Sequence, residues 1–270
     1  MRSICRASRA SAALVALIAL ALAGCATVTP LSQENIASLL AAPDRTEADR
    51  QLDARRKPAE LLSFTGLAPG MRVLDLGAGG GYSSELVARA VGPAGRVHVQ
   101  IASAGESSQA RQRLEERLKR PVMQNAKLDV LSFDNPVAAG IAPGSLDAVT
   151  FFFGYHDIGG PGTDRARMNR AIFDALKPGG VYVIIDHSGR AGTGGSEART
   201  LHRIEEAFLR REVEGAGFRL EAEAGFLRNP ADPRDKPVFR PTQPNDEFVL
   251  RFVKPQQLQS YGGSNTVGGY

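Results

Sequence analysis

A glycine-rich turn directly follows a short apolar run in the first third of the chain. The run is 73–76 (VLDL), the turn is 77–81 (GAGGG), and Ser83 or Ser84 can cap a helix after it. Glycines are needed where a backbone turns sharply and a ligand approaches without a Cβ in the way. Amides at a helix start can receive an anionic group. The pattern predicts a strand, a ligand-binding turn and a helix.

The spacing of the glycines indicates which class of ligand the turn receives. A dinucleotide fingerprint has the form G-x-G-x-x-G, and its third glycine would fall on Tyr82. The sequence has G-x-G-x-G instead, with Asp75 two residues before the first glycine. A nicotinamide-dependent oxidoreductase is therefore disfavoured.

Apolar strand patterns alternate with helical patterns after residue 71, as a doubly wound α/β sheet requires. The last two strands are too close in sequence to require a helical crossover, so they can pair antiparallel. The predicted strands are 72–76, 96–101, 126–130, 146–153, 180–186, 218–224 and 247–253, and the predicted helices are 83–91, 106–120, 163–175 and 205–216.

The acid and the glycine run together resemble motif I of the class I S-adenosylmethionine-dependent methyltransferases. Residues 144–157 (GSLDAVTFFFGYHD) and 176–188 (LKPGGVYVIIDHS) are similar to the fourth- and fifth-strand segments of those enzymes. The resemblance covers residues 57–254 and is closest to an exported subgroup of predicted methyltransferases, which shares the RKP, YHD and DH segments. It implies a single-domain, Rossmann-like, doubly wound α/β fold with a seven-stranded, mostly parallel sheet and an antiparallel terminal strand.

The resemblance also implies positions for the cofactor, S-adenosyl-L-methionine. Asp75 and Gly77 would lie near its methionine end, while Gly79 and Gly81 would let its sugar pass closely. Asp134 would hydrogen-bond the adenine amino group, although an Asx turn before a proline explains this residue equally well.

The second strand departs from the family pattern at its end. A ribose-binding acid is expected about 20 residues beyond the glycines, but Ile101 stands there. Gln100 is the predicted substitute, on condition that the strand register shifts, and Glu106 is a second candidate in the next loop. A carboxylate binds two hydroxyls more strongly than an amide does. Weak cofactor binding is therefore an open alternative.

Titratable residues follow the fourth and fifth strands, where ligands of open α/β sheets bind. His156 is the predicted general base for an oxygen or nitrogen acceptor, His187 is the second choice, and Tyr155 is predicted to orient the substrate. The alternative is that these side chains only fix the loops. Of the other two histidines, His202 can approach the same face and His98 is predicted to be structural.

Two His–Asp pairs at these strand ends could also supply metal ligands. Their spacing matches no known site, so no metal ligand is predicted.

The N-terminus resembles a bacterial lipoprotein signal. It has a basic start, an apolar run over 12–23, and Leu22-Ala23-Gly24-Cys25 as a lipobox. The resemblance implies cleavage after residue 24 and lipidation of Cys25, which predicts an envelope lipoprotein, anchored through its lipid to a membrane and located at the outer membrane facing the periplasm. An uncleaved anchor is the alternative.

Removing residues 1–24 changes the charge of the chain. The segment holds three arginines and no acids, so the net charge falls from +4 to 4 − 3 = +1. A nucleic-acid partner loses its electrostatic support. Because Cys5 leaves and Cys25 carries lipid, the folded part would contain no cysteine, which excludes disulfides and thiol chemistry there.

The predicted organisation is a signal peptide (1–24), a lipidated tether (25–34), an α/β domain (35–255) and a polar, glycine-rich tail (256–270). The domain opens with helices over 35–62, broken near Pro43 and at Pro58. Between these breaks, RQLDARRKP is predicted to form a solvated helix face, with a clamp over the site as the alternative.

Two functions remain from these observations. The first is a methyltransferase that acts on a small molecule or an envelope component. The alternative is a catalytically inactive, lipid-anchored periplasmic binding protein that retained the fold, because fold does not imply function. The sequence predicts neither the acceptor nor the oligomeric state.

Overall fold

The computed structural model of the protein describes residues 29–103, 107–158, 164–239, 241 and 243–256. In these parts, the strands form a seven-stranded sheet. They are β1 (Arg72–Leu76), β2 (Arg96–Ile101), β3 (Ala126–Val130), β4 (Leu146–Phe152), β5 (Leu176–His187), β6 (Arg219–Ala224) and β7 (Glu247–Val253).

The described helices pack on both faces of this sheet. They are α1 (Gln33–Leu40), α2 (Glu47–Arg56), α3 (Pro58–Thr65), α4 (Tyr82–Val91), α5 (Ser108–Leu118), α6 (Arg165–Ala175), α7 (Ala198–Leu201) and α8 (Glu206–Gly215). Short 3₁₀ turns occupy Pro121–Met123 and Tyr155–Asp157. The predicted helix breaks at the two prolines are confirmed. The first helix begins at Gln33, because the hydroxyl of Ser32 accepts from the amide of Asn35 and caps it.

The strand order is β3-β2-β1-β4-β5-β7-β6. Strands β1 to β5 pair in parallel, whereas β7 pairs antiparallel with both β5 and β6. The predicted α/β fold with an antiparallel terminal strand is confirmed, and β7 lies inside the sheet between β5 and β6. Strand β5 begins four residues before its predicted start, because Leu176 pairs with Leu146 across an irregularity in the β4–β5 ladder.

Alternate residues of β1 supply two hydrophobic cores. Val73 packs on one face of the sheet with apolar residues of α1, α3 and α4. Leu74 and Leu76 pack on the other face with residues of α6 and α8. Because side chains alternate along a strand, Asp75 points to the same face as Val73, toward α4. A carboxylate is thereby placed inside the first core.

Strand order reverses beside β1, and this reversal locates the site. The chain runs outward from β1 to β2 and β3, then returns to β4 on the other side of β1. In open α/β sheets, ligands bind in the crevice that forms beyond the strand ends at such a point. The glycine turn follows β1 at this position.

Several predicted features lie outside the described residues, including the signal peptide, Cys25, Glu106 and residues 257–270. Within the described ranges, none of the helices has the length and apolar character that crossing a membrane requires.

Candidate functional site

The glycines of the turn differ in what surrounds them. Gly77, Gly79 and Gly81 all have positive φ, at 59°, 50° and 80°. A Cβ on Gly79 would meet no atom within 4 Å, so its backbone borders open space. A Cβ on Gly81 would lie 2.7 Å from Leu114 Cδ1. Gly81 therefore permits close packing of α4 on α5, and its role beside a cofactor sugar stays a prediction.

A cavity of about 660 Å³ lies between the glycine turn and α2. Its floor is the end of β1 and the turn, its wall is the start of α4 with the end of β4, and its cover is α2. Predicted residues Asp75, Gly77 and Gly79 line it, together with Ala48, Asp49, Leu52, Arg56, Tyr82, Ser83, Arg113, Arg117, Phe152 and Phe153, among others.

Asp75 is an almost fully buried carboxylate in the floor of this cavity. Its two oxygens accept hydrogen bonds from Ser84 Oγ and Thr150 Oγ1, each at 2.6 Å. Burial raises the pKa of Asp75 to about 6, and the two hydroxyl donors offset part of that effect. The side chain ties β1 to α4 and β4, and each oxygen keeps a second lone pair for a ligand.

The raised pKa of Asp75 predicts pH-dependent stability. Because the native state binds the proton more tightly than the unfolded chain, the contribution of Asp75 to stability is fully present below pH 3.8 and is lost as the pH rises through about 6. The loss from this group is about 3 kcal/mol. Urea unfolding of the wild type and of Asp75→Asn, which keeps the shape and cannot ionise, measures this contribution as a difference. We expect the stability of the wild type relative to Asp75→Asn to fall over this pH range; a constant difference would contradict the assignment.

Gln100 supports the glycine turn. Its Oε1 accepts from the amide of Gly77 at 3.1 Å, its Nε2 donates to the carbonyl of Leu131 at 2.7 Å, and the residue is fully buried. Ile101 beside it is also fully buried. The predicted contact of Gln100 with a cofactor stays a prediction that this geometry does not favour.

Asp134 lies in the loop after β3, outside the lining of the cavity. Its Oδ1 accepts from the amide of Asp164 at 2.6 Å, and its own amide donates to Ser132 Oγ at 3.3 Å. The carboxylate accepts from an amide 30 residues ahead, so this contact is not the Asx turn that was the alternative. A contact with adenine stays a prediction.

Helix α2 is held over the turn by buried ion pairs. Arg45 binds Asp53 through two hydrogen bonds of 2.7 Å, and Tyr82 donates to the same carboxylate at 2.6 Å. Asp49 accepts from Arg117 of α5 at 2.8 and 2.9 Å. Gln51, Ala54, Arg55 and Lys57 of RQLDARRKP are exposed, as the interpretation of a solvated face expects. Leu52 and Arg56 of the same segment line the cavity, so this helix also forms the clamp that was the alternative.

Glu85 connects the elements that support the clamp. The residue is 2% exposed and accepts hydrogen bonds from Arg89, Arg117 and Arg120. Arg117 therefore contacts Glu85 on α4 and Asp49 on α2 at once. Burial alone would lower the pKa of Arg117, but these carboxylates raise it, so the guanidinium stays charged.

Arg56 and Phe153 are cavity residues that the sequence did not identify. The guanidinium carbon of Arg56 lies 3.9 Å above the centre of the Phe153 ring. Burial, with the charge of Arg55, lowers the pKa of Arg56 to about 10, so it remains cationic at neutral pH. Among the described residues, no carboxylate forms an ion pair with Arg56, and its Nε has no partner. A cation whose Nε has no partner in a cavity favours an anionic ligand. The basic RQLDARRKP segment was the sequence signal that could have identified Arg56.

His156 is held between two carboxylates. Its Nδ1 lies 2.6 Å from Asp186 Oδ1, and its Nε2 lies 3.2 Å from Asp157 Oδ1. Burial would lower its pKa, but the charge of Asp186 and the bonds of both acids outweigh burial and raise the pKa to about 10. A protonated imidazole does not favour the role of general base, which stays a prediction for His156.

Tyr155 faces the opposite core. Its ring is fully buried against the second hydrophobic core, and its hydroxyl accepts from Asn169 Nδ2 at 2.8 Å and lies 3.2 Å from Glu212 Oε2. Burial first, and then the charge of Glu212, raises the pKa of Tyr155. The prediction that Tyr155 orients a substrate is corrected, because the side chain holds α6 and α8.

His187 lies closest to the cavity among the predicted catalytic side chains. Its ring packs on Phe153 at 5.1 Å between centroids, and Phe153 lines the cavity. Its Nδ1 is 3.1 Å from Glu247 Oε1, but the angle does not make a hydrogen bond. His187 thus remains the candidate base. His98, bound to Asp129 at 2.8 Å on the sheet, is structural as predicted.

One family model matches part of the chain. It describes protein-L-isoaspartate(D-aspartate) O-methyltransferase (PCMT), and the match covers residues 39–131. These residues include the clamp helix α2, the glycine turn and β2. No curated protein matches at a significant level.

Solved structures match over most of the chain. A SAM-dependent methyltransferase from Aquifex aeolicus has a TM-score of 0.54 at 18% identity, covering 83% of this chain and 99% of that one. The fold is that of the SAM-dependent methyltransferases. Geranyl diphosphate C-methyltransferase from Streptomyces coelicolor A3(2), in complex with Mg²⁺, geranyl diphosphate and S-adenosyl-L-homocysteine, has a TM-score of 0.55 at 14% identity, covering 84% and 90%.

The methyltransferase fold also carries other chemistry. The [4+2]-cyclase SpnF has a TM-score of 0.57 at 16% identity, covering 85% of this chain and 99% of that chain. Identities this low show the fold alone, and the reaction must be argued from the residues of the site.

Proposed function

We propose that the protein is an S-adenosylmethionine-dependent methyltransferase that acts on a small molecule or an envelope component. The observation that carries the proposal is the cavity of about 660 Å³ at the end of β1, where the glycine turn meets the clamp helix in a methyltransferase fold. The partial match to the PCMT family over residues 39–131 supports it. None of the comparisons supports the alternative of an inactive binding protein.

The residues of the cavity fit the charges of the proposed cofactor. Its methionine end carries an ammonium and a carboxylate. Asp75 supplies a carboxylate and Arg56 supplies a cation in the same cavity. Gly79 leaves open space beside the backbone. When bound, the cofactor supplies an electrophilic methyl group on a sulfonium.

Methyl transfer is an in-line displacement, and it mainly requires that the reactants are aligned and that water is excluded. The residues that line the cavity would supply both. The clamp helix covers the cavity, and the phenyl rings of Phe152 and Phe153 form an apolar wall. An acceptor that is protonated at neutral pH needs a base. His187, packed on Phe153, is the residue proposed for that role.

Export belongs to the proposal as well. The lipobox at Leu22-Ala23-Gly24-Cys25 supports cleavage after residue 24 and lipidation of Cys25. The protein would then face the periplasm from a lipid anchor. Mass spectrometry of the mature N-terminus in a bacterial host tests this, and an unmodified Cys25 would contradict it.

Isothermal titration of the purified full chain tests the cofactor assignment. We expect S-adenosylmethionine and S-adenosylhomocysteine to bind one equivalent each, whereas a nicotinamide dinucleotide should not bind because Tyr82 replaces the third glycine. No detectable heat at millimolar cofactor would refute the enzyme proposal.

A further inference from the structure

Three ligand-type side chains converge beside the His187 region without forming part of the glycine-turn cavity. They are His156, Asp157 and His202, and their donor atoms all lie within 4.8 Å of one another. Asp157 Oδ1 is 3.2 Å from His156 Nε2 and 3.1 Å from His202 Nδ1. The two imidazole rings meet edge to face with centroids 5.4 Å apart. Two chain segments that lie 45 residues apart in sequence therefore bring their side chains together here.

The separations match those that metal coordination requires. Zn²⁺ binds imidazole nitrogen and carboxylate oxygen at about 2.0–2.2 Å, so two ligands of a tetrahedral or octahedral ion stand about 3.0–3.4 Å apart. The two nitrogen–oxygen distances fall in this range. All three donor atoms lie within 4.8 Å of one another, so side-chain rotations would bring them to one ion.

Asp186 orients the buried member of the cluster. It lies 2.6 Å from His156 Nδ1, and its other oxygen accepts from the backbone amide of His156 at 2.7 Å. A carboxylate that holds one ring nitrogen while the other faces outward is the usual arrangement behind a metal-bound histidine. His156 Nε2 is thereby fixed toward Asp157 and His202.

The cluster opens to a second cavity of about 620 Å³. The side chain of Asp157 is 56% exposed and that of His202 is 30% exposed, so an ion can enter and keep coordination positions open.

We propose that His156, Asp157 and His202 bind a divalent transition-metal ion, with Zn²⁺ as the best match to two imidazoles and one carboxylate. His187 is outside the set, because its Nδ1 faces Glu247. The site uses one of the two predicted His–Asp strand ends and adds a histidine from the turn after α7. It does not depend on methyl transfer and is tested without turnover.

Titration of Zn²⁺ into the full chain tests the site. The protein is prepared without a polyhistidine tag and with Cys5 and Cys25 changed to Ser, so that neither a tag nor a thiol binds the metal. We expect one equivalent of Zn²⁺ to bind, and Co²⁺ to give visible absorption bands of a nitrogen- and oxygen-bound ion. Binding of Zn²⁺ should raise the melting temperature.

Two conservative variants should remove the binding. Asp157→Asn takes away the anionic oxygen, and His202→Asn takes away a nitrogen while tolerating the left-handed backbone, φ 52°, that this residue has. Loss of one ligand of three should weaken binding by at least about 100-fold, beyond the effect typical of an outer partner.

His98→Asn is the matched control, because His98 also pairs with an aspartate but lies on β2. It should bind Zn²⁺ as the parent does, and circular dichroism should show that all three variants are folded. The proposal fails if the parent binds no Zn²⁺ at micromolar metal. It also fails if folded Asp157→Asn and His202→Asn variants keep the parent's affinity.

Discussion

Replacing Glu85 by glutamine is expected to lower the free energy of unfolding by about 3 kcal/mol, because three arginines lose the buried carboxylate that they share, while Arg117 keeps Asp49 and Arg89 keeps Asp44. Glu85 accepts from Arg89 at 2.8 Å and from Arg117 at 2.6 Å, and Arg120 contacts the same oxygen as Arg117. Its side chain is 3% exposed, so water cannot replace the lost charge. Urea unfolding followed by circular dichroism measures the change.

Glu116→Gln is the matched control for this substitution. Glu116 pairs with Lys119 at 2.7 Å on the surface of α5, with side chains 64% and 69% exposed. Exposed pairs contribute about 0–1 kcal/mol, so the control should unfold close to the wild-type midpoint. Equal effects of the two substitutions would show that the buried cluster does not stabilise the fold.

Replacing Arg56 by glutamine is expected to weaken binding of S-adenosylhomocysteine by about 10- to 100-fold, the loss of one charge-assisted hydrogen bond to a carboxylate. Arg56 lines the cavity, is cationic at neutral pH and stacks on Phe153. Arg56→Lys keeps the charge but loses the planar fork, so its affinity should be intermediate. Isothermal titration measures all three proteins.

Arg55→Gln controls for a general loss of positive charge on α2. Arg55 is adjacent, its side chain is 49% exposed, and its partner Glu247 is 3.8 Å away. We expect its affinity to match the wild type within about twofold, because the side chain of Arg55 is half exposed and does not line the cavity. If Arg55→Gln weakens cofactor binding as much as Arg56→Gln, the loss of affinity comes from the general positive charge of α2, and the proposed contact of Arg56 with the cofactor is wrong.

Periodic apolar patterns predicted the sheet because they report burial, which is local information. Strands β1, β2, β3 and β7 have the predicted bounds. The extension of β5 back to Leu176 was missed, since its pairing with Leu146 depends on a ladder irregularity that no local pattern shows.

The candidate site was predicted in part. Asp75, Gly77 and Gly79 line the cavity, and local sequence predicted them because they lie within five residues of one another in one strand and turn. Tyr155 and His156 were assigned chemical roles from their place at a strand end. The direction in which each ring points depends on acidic side chains that contact it from distant segments of the chain. Asp186 and Glu212 are such partners.

The sequence alone determined the strand order along the chain, the glycine turn and the exclusion of a dinucleotide fingerprint, because each rests on spacing between near neighbours. Only the tertiary structure decided that α2 covers the turn, that Arg56 lies in the cavity, and that His202 meets His156 and Asp157. These contacts join residues dozens of positions apart, and packing and ion pairing bring them together through interactions that local sequence does not specify.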